Sequence, residues 1–367
     1  MAADPLRMAR RLARAVLLGS AAIVVAAMAS GQDAPDPAAL RAAYAGVPAT
    51  WPRPALHPGA AFAEFAALPL RPEPDVRERA TIALGARLFD DPILSRSGQI
   101  ACASCHAREL GFADGLRTSF GHDRTRGRRN SQGLLTVGWM SPLFWDGRAT
   151  TLEEQALHPI TDRIEMAADM GEVEQRVNGD RAYREGFAAL NGNRRIVRAD
   201  IAVALAAFQR SLRPPTTRYT RFVRGETRAL TDEQLRGLDL FRGKAGCANC
   251  HNGALLSDQR FHNLGLSFYG RAREDLGRWE VTGDPADVGT FRTPSLLGIG
   301  RTAPYMHNGL LRTLDNVVAF YNGGGGRDRR AASLKGDAPP PRPDPLLKPL
   351  NLSAEERAAL VAFLETL

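Results

Sequence analysis

Apolar residues along the chain recur at helical rather than strand spacing. From Val76 to Asp90, the positions Ile82, Leu84 and Leu88 predict one helix. Asp200 caps a second, in which Ile201, Leu205, Phe208 and Leu212 share a face until Pro214-Pro215 stops it. Thr231 and Gln234 form a capping-box pattern ahead of Leu235, Leu238 and Phe241, and Ser353 and Glu356 repeat it ahead of Leu360, Phe363 and Leu364. A shorter run from Thr151, its cap, to Leu157 predicts a helix that ends before Pro159. No segment alternates apolar and polar residues over the length of a strand, so the expected fold class is mostly α. Residues 30–75 are rich in Ala and Pro without a period and predict an extended lead-in that wraps the body. Gly323–Gly326 and the Pro-rich stretch 338–349 predict loops.

The first thirty residues follow a different rule. Arg7, Arg10, Arg11 and Arg14 precede an apolar run from Ala15 to Met28, and Ala27 and Ala29 bracket a cleavage-like end. A basic region, a short apolar region and small residues together predict a secretory signal over residues 1–29, and hence a periplasmic protein. The competing readings are an uncleaved anchor and a core helix. The run is short for a membrane span.

The chain also repeats itself. Gly85-Ala-Arg-Leu88-Phe89 has a counterpart in Gly237-Leu-Asp-Leu240-Phe241. Leu134-Leu135, Gly138, Pro142, Asp146-Gly147 and Thr151-Leu152 recur 162 positions later as Leu296-Leu297, Gly300, Pro304, Asn308-Gly309 and Thr313-Leu314. Two related halves are expected, joined by a Pro-, Thr- and Arg-rich linker near 213–230.

Four cysteines in 367 residues are too few for a disulfide scaffold. Their placement says more. Cys102-Ala-Ser-Cys105-His106 and Cys247-Ala-Asn-Cys250-His251 both match C-x-x-C-H, one copy in each half. That spacing lets two thiols bond the vinyl groups of one haem while the adjacent histidine reaches the iron. A four-Cys zinc site would need the pairs brought together and would leave both histidines unexplained; a redox dithiol is the other alternative. Two haem c groups are the expected cofactors. The net charge of +8 raises the question of nucleic acid, but the basic residues are scattered arginines without interleaved aromatics, so nucleic acid is excluded.

The repeat predicts that the two haems differ. At the 162-residue offset, Tyr321 falls opposite Pro159. Proline has no donor atom for iron, whereas tyrosine has one. One haem is therefore expected to be closed by Tyr321 and the other to keep an open face. Gln155 and Glu165 flank Pro159 in sequence. A carboxylate near bound peroxide can move a proton from one oxygen to the other; a solvated surface carboxylate is the competing reading for Glu165.

These residues resemble the bacterial dihaem cytochrome c peroxidase family, including its MauG-like members. The resemblance runs from about residue 76 to the C-terminus. It is carried by the two C-x-x-C-H motifs, Phe144-Trp-Asp-Gly-Arg148, Glu154-Gln155-Ala156, Ile164-Glu165-Met166 and Ala303-Pro-Tyr-Met-His307-Asn-Gly309. It implies two cytochrome c-like domains, with Glu165 as the acid–base residue, Gln155 as a distal hydrogen-bonder and Trp145 between the haems. It further implies that His122 blocks the first haem in a resting state. Asn130, Thr302 and Pro304 would hold a calcium ion. Peroxidases of this family place methionine where this chain has Tyr321; MauG-like members place tyrosine there. A phenolate favours ferric iron and lowers the potential, whereas a thioether raises it.

The resulting map has a signal peptide at 1–29, an extended segment at 30–75, a peroxidatic haem domain at 76–225 and an electron-transfer haem domain at 226–345. The C-terminal helix at 346–367 is expected to pack on the first domain. Three functions compete: a periplasmic peroxidase, a MauG-like enzyme that oxidises aromatic residues of a partner protein, and a dihaem electron carrier. The expected partners are hydrogen peroxide, a small electron-donor protein (a cytochrome c or a cupredoxin) or an oxidised protein substrate, and a second copy of the chain in a homodimer.

Overall fold

The helices form where caps and apolar periodicity coincide. In the computed structural model, which describes residues 35–328 and 331–367, Val76–Asp90 is a helix (α2) whose N-cap Asp75 accepts a hydrogen bond from the Glu78 amide. It follows α1, Pro37–Ala43. Then come α3 (Leu152–Thr161), α4 (Met170–Gly179), α5 (Arg181–Asn191), α6 (Arg198–Ser211), α7 (Arg218–Val223) and α8 (Asp232–Arg242). The series ends with α9 (Trp279–Thr282), α10 (Leu314–Asn322) and α11 (Ala354–Leu364). Among the described residues the strands are two-residue pieces, β1 (Phe261–His262) antiparallel to β2 (Phe291–Arg292). The expected signal peptide lies outside the described residues. No described helix is long and apolar enough to cross a membrane.

The two larger hydrophobic clusters of the compact unit Pro37–Leu367 are each built on a helix crossing. The first packs α2 across α6, with Phe89 against Phe208 at 4.9 Å. The second packs α8 across α11, with Phe241 against Phe363 at 5.3 Å. Each crossing turns on a glycine. A Cβ on Gly85 would collide with the Ala204 carbonyl of α6, and one on Gly237 with the Ala359 carbonyl of α11. The second cluster also takes in the lead-in: Tyr44, Trp51 and Phe65 are buried there, and Arg242 ion-pairs with Glu64. The lead-in is not wholly extended, since α1 lies within it.

The repeat is visible in the backbone at the 162-residue offset. The bridge Leu143↔Ala149 returns as Tyr305↔Leu311. Positive φ at Phe144 (65°) returns at Met306 (71°). Thr151 caps α3 as Thr313 caps α10.

Four local expectations are corrected. Asp200 is not the N-cap of α6. The helix starts at Arg198, and Asp200 is its third residue, where its carboxylate accepts from the Val197 amide at 2.9 Å and pairs with Arg194. Helix α3 runs through Pro159 to Thr161, because fully buried Ile160 anchors the last turn in the core. Arg218–Val223 was expected to belong to the first half, yet its Tyr219 and Phe222 pack in the second cluster. The C-terminal helix packs on α8 of the second half, not on the first domain. It is the counterpart of α6, and the Gly237 cleft admits its backbone.

Candidate active site

Both C-x-x-C-H motifs open as one-turn 3-10 helices, Cys102–Ser104 and Cys247–Asn249. In each, the histidine amide donates back to the first cysteine's carbonyl, His106 to Cys102 at 3.0 Å and His251 to Cys247 at 2.9 Å. The turn sets both sulfurs and the imidazole on the wall of one cavity of about 730 Å³, which the two motifs share. His106 Nδ1 lies 2.7 Å from the Phe112 carbonyl and His251 Nδ1 lies 2.9 Å from that of Leu256. A carbonyl can only accept, so each Nδ1 carries the proton and each Nε2 is left as a lone-pair donor. Burial lowers the pKa of both rings, keeping them neutral.

All four cysteines are free. Burial pushes the Cys102 and Cys247 thiols up to about 12 and the Cys105 thiol up to about 11. Neutral, buried sulfur suits a thioether to a haem vinyl group. A thiolate metal site would need these groups ionised. Among the described residues, the one grouping of three or more His, Cys, Asp or Glu donors is Cys250, Asp258 and His262, so no four-Cys site forms. Nor is that grouping a metal site. His262 Nδ1 faces Asp344 at 2.6 Å and Nε2 faces Asp258 at 2.9 Å, leaving no ring nitrogen for a metal. The donor set of both cradles therefore fits haem c.

The wall on the His106 side carries Gln155, Pro159 and Glu165. Gln155 and Pro159 come from α3, and Glu165 from the turn after it. Glu165 is exposed on this wall, and its backbone carbonyl accepts from the His122 amide. Desolvation raises the pKa of its carboxyl, the Asp162 charge adds to this, and Arg148 opposes it. On the His251 side the last turn of α10 brings Tyr321 to the wall. Burial raises its phenol pKa, and the nearby Cys250 and Cys247 add to that. The unequal pair expected from register is thus built into one cavity.

Where the halves meet, the repeat produces a pseudo-two-fold contact. The Asn130 amide donates to the His307 carbonyl at 2.7 Å, and the Arg292 amide donates to the Trp145 carbonyl at 2.8 Å. Arg292 and His307 are the register equivalents of Asn130 and Trp145, so each half gives the other the same bond. The Trp145 indole N–H donates to the Asn130 carbonyl at 2.9 Å, and its ring lies 6.3 Å from that of His307. His307 stacks on Phe291 at 3.5 Å. Burial drives its pKa down to about 3, and its Nε2 has no partner. Ion pairs reinforce the seam: Arg129 joins Asp146 of the first half to Asp275 of the second, and Arg128 reaches Asp275 and Glu280.

Three known proteins frame this geometry. A family profile described as di-haem cytochrome c peroxidase matches residues 79–228. Cytochrome-c peroxidase IdrP1 of Pseudomonas sp. (strain SCT) is 36% identical over 325 residues, covering 81% of this chain and 83% of its own. The methylamine utilization protein MauG of Methylorubrum extorquens is 38% identical over 304 residues, covering 82% and 79%. The chain belongs to the di-haem cytochrome c peroxidase family. A solved MauG-like protein associated with microbial copper homeostasis superposes with a TM-score of 0.70 at 35% identity, covering 85% of this chain and 95% of that one. As a family member, the protein is a cytochrome-c peroxidase-type oxidoreductase acting on peroxide, and membership implies two haem c groups.

Within this family frame, the residues expected from sequence are unevenly placed. Cys102, Cys105, His106, Cys247, Cys250, His251, Trp145, Gln155, Glu165, Tyr321, Asn130, Thr302 and Pro304 all line the shared cavity. His122 does not. Its amide is held by the Ile164 and Glu165 carbonyls, 2.8 Å from each, and its Nε2 lies 3.5 Å from Asp123. The loop is pinned from behind by Gly121, whose missing Cβ lets it sit against the Ile164 carbonyl. Arg129, Asp275, Arg292 and the Asp258–His262–Asp344 triad were not anticipated. For Arg292 a signal existed: the same 162-residue offset that carries Trp145 to His307 carries Asn130 to Arg292. The ion pairs from Arg128 and Arg129 to Asp275 and Glu280 left no signal, because they join residues more than a hundred positions apart.

Proposed function

We propose that the protein is a periplasmic peroxidase that reduces hydrogen peroxide to two water molecules. The two electrons come from a small redox protein and enter on the His251 side. The observation that carries this reading is Glu165, a carboxyl with a raised pKa on the same cavity wall as His106, Gln155 and Pro159. When bound, haem iron supplies the coordination site for peroxide and the store of electrons. Glu165 supplies the proton traffic: its carboxylate accepts a proton from the near peroxide oxygen and returns it to the departing one. Gln155 orients the substrate by hydrogen bonding, and Pro159 leaves the wall without a competing ligand. Trp145, held at its indole N–H and its carbonyl, lies on the seam that electrons cross between the halves. Asn130 donates its side-chain amide to the Leu116 carbonyl, which leaves Oδ1 free. Calcium held there with the carbonyls of Thr302 and Pro304 belongs to this proposal.

Glu165→Gln tests it. The variant should hold both haems yet lose about 10²–10⁴-fold in peroxide turnover. Undiminished turnover would sink the assignment.

Tyr321 favours a second reading, in which the oxidised enzyme attacks aromatic residues of a partner protein. That reading predicts slow turnover with reduced cytochrome c and a long-lived oxidised state after peroxide is added. Rapid mixing of half-reduced holoprotein with peroxide, followed by visible spectra and a donor-oxidation assay, separates the two.

A further inference from the structure

Four arginines line the shared cavity: Arg128, Arg129, Arg148 and Arg292. Three of them have carboxylate partners. Arg128 reaches Asp275 and Glu280, Arg129 reaches Asp146 and Asp275, and Arg148 reaches Asp146. Arg292 is only 3% exposed and has no carboxylate partner among the described residues. Its Nε donates to the Phe144 carbonyl at 3.0 Å. Its two terminal nitrogens meet only the Met140 sulfur and the Gln132 side-chain oxygen, each at 3.5 Å. A guanidinium has five N–H donors in a planar fork, matched to a carboxylate. Here only Nε is engaged at an ordinary hydrogen-bond distance, and the two terminal nitrogens make long contacts at 3.5 Å. Burial lowers the pKa to about 10, with no acid to offset it, and the group is still a cation at neutral pH.

A buried cation without an anion is strongly unfavourable unless something supplies the counter-charge. The backbone holds Arg292 firmly in place: β2 pairs it with Phe261, and its amide donates to the Trp145 carbonyl. Its register equivalent, Asn130, is neutral, so the cation is a feature of one half alone. The cofactor implied by family membership brings carboxylates of its own, the two propionates on each haem.

We propose that Arg292 is a docking cation for a haem propionate, holding that cofactor edge at the seam beside Trp145. The guanidinium reaches Phe144, Met140 and Gln132, all of the first half, so the expected source is the haem attached at Cys102 and Cys105. The inference rests on both C-x-x-C-H motifs carrying haem, which a haem-content assay reads independently.

The test compares wild-type, Arg292→Met and Arg292→Lys holoproteins by haem content, midpoint potential of each haem, and the propionate bending band in resonance Raman spectra. A cation beside a haem favours the reduced form. In Arg292→Met, one haem's reduction equilibrium should shift about tenfold toward the oxidised state, about 59 mV for a one-electron couple. Arg292→Lys should recover most of that shift and still displace the propionate band. A change at either haem supports docking and names the haem involved. Unchanged potentials and bands at both haems overturn it. If Arg292→Met fails to load haem, the band in Arg292→Lys decides: displaced supports the proposal, unchanged overturns it. Wild-type protein lacking two haems would defeat the haem reading instead.

Discussion

Helices α3 and α10 are the same element built twice, and they hand the cavity different chemistry. Each is capped by a threonine, Thr151 or Thr313. Each follows a matching bridge, Leu143↔Ala149 or Tyr305↔Leu311. Yet α3 delivers Pro159 and α10 delivers Tyr321. Duplication conserved the backbone because caps, close-approach glycines and the core require it. The side chains that face the cavity answer to none of those demands and were free to diverge. The seam shows the same division: the amide bonds of Asn130 and Arg292 are equivalent, while their side chains are neutral on one side and cationic on the other.

The comparison can be broken most forcefully at the chemistry. Glu165→Gln should cost about 10²–10⁴-fold in peroxide turnover. Tyr321→Phe, its opposite number, should leave that acid–base step intact and change the visible spectrum and potential of the His251-side haem alone. A turnover loss in Tyr321→Phe as large as that in Glu165→Gln would show that the two walls are not divided in function.

The structural half of the comparison is tested at the helix crossings. Gly85→Ala and Gly237→Ala should each destabilise the protein by about 1–3 kcal/mol, because the added methyl meets a carbonyl in both cases. Denaturant midpoints that differ widely between the two would show unequal packing. Smaller effects lie at the caps. Thr151→Ala and Thr313→Ala should each cost about 1 kcal/mol, and the double variant should be close to additive because the sites share no partner.

A pH profile sharpens the contrast further, since only the second half has the His262 triad. Burial alone would lower the pKa of His262, but hydrogen bonds to Asp258 and Asp344 outweigh it and raise the value to about 12. A raised histidine contributes its full stability below the ordinary value of about 6.5 and loses it as pH climbs toward the folded value. The stability advantage of wild type over His262→Gln should therefore be largest near pH 6 and shrink steadily toward pH 10. An advantage that grows with pH would contradict a protonated His262.

Much of this molecule was legible in one dimension. The haem cradles were readable because covalent attachment demands a fixed local spacing. Helix α2 could be bounded to the residue, since its apolar face and its ends lie within one short window. The unequal pair of Pro159 and Tyr321 followed from register, which is also a linear property. Helix ends were less secure where tertiary contacts took over: Ile160 carried α3 past its proline, and Asp200 capped α6 from within its first turn. The C-terminal helix was assigned to the wrong half because its partner, Gly237, shows its purpose only when the two backbones meet.

The sequence by itself determined the composition of each cradle, the repeat and the inequality between its copies, all of which depend on spacing along the chain. Only the tertiary structure decided which groups share a wall, that His122 stands outside the cavity, and that Arg292 is buried without an acid. The physical reason is that pairing, burial and desolvation depend on neighbours in space. At this seam, Arg292 and Gln132, or Arg129 and Asp275, are brought together from positions far apart in the chain.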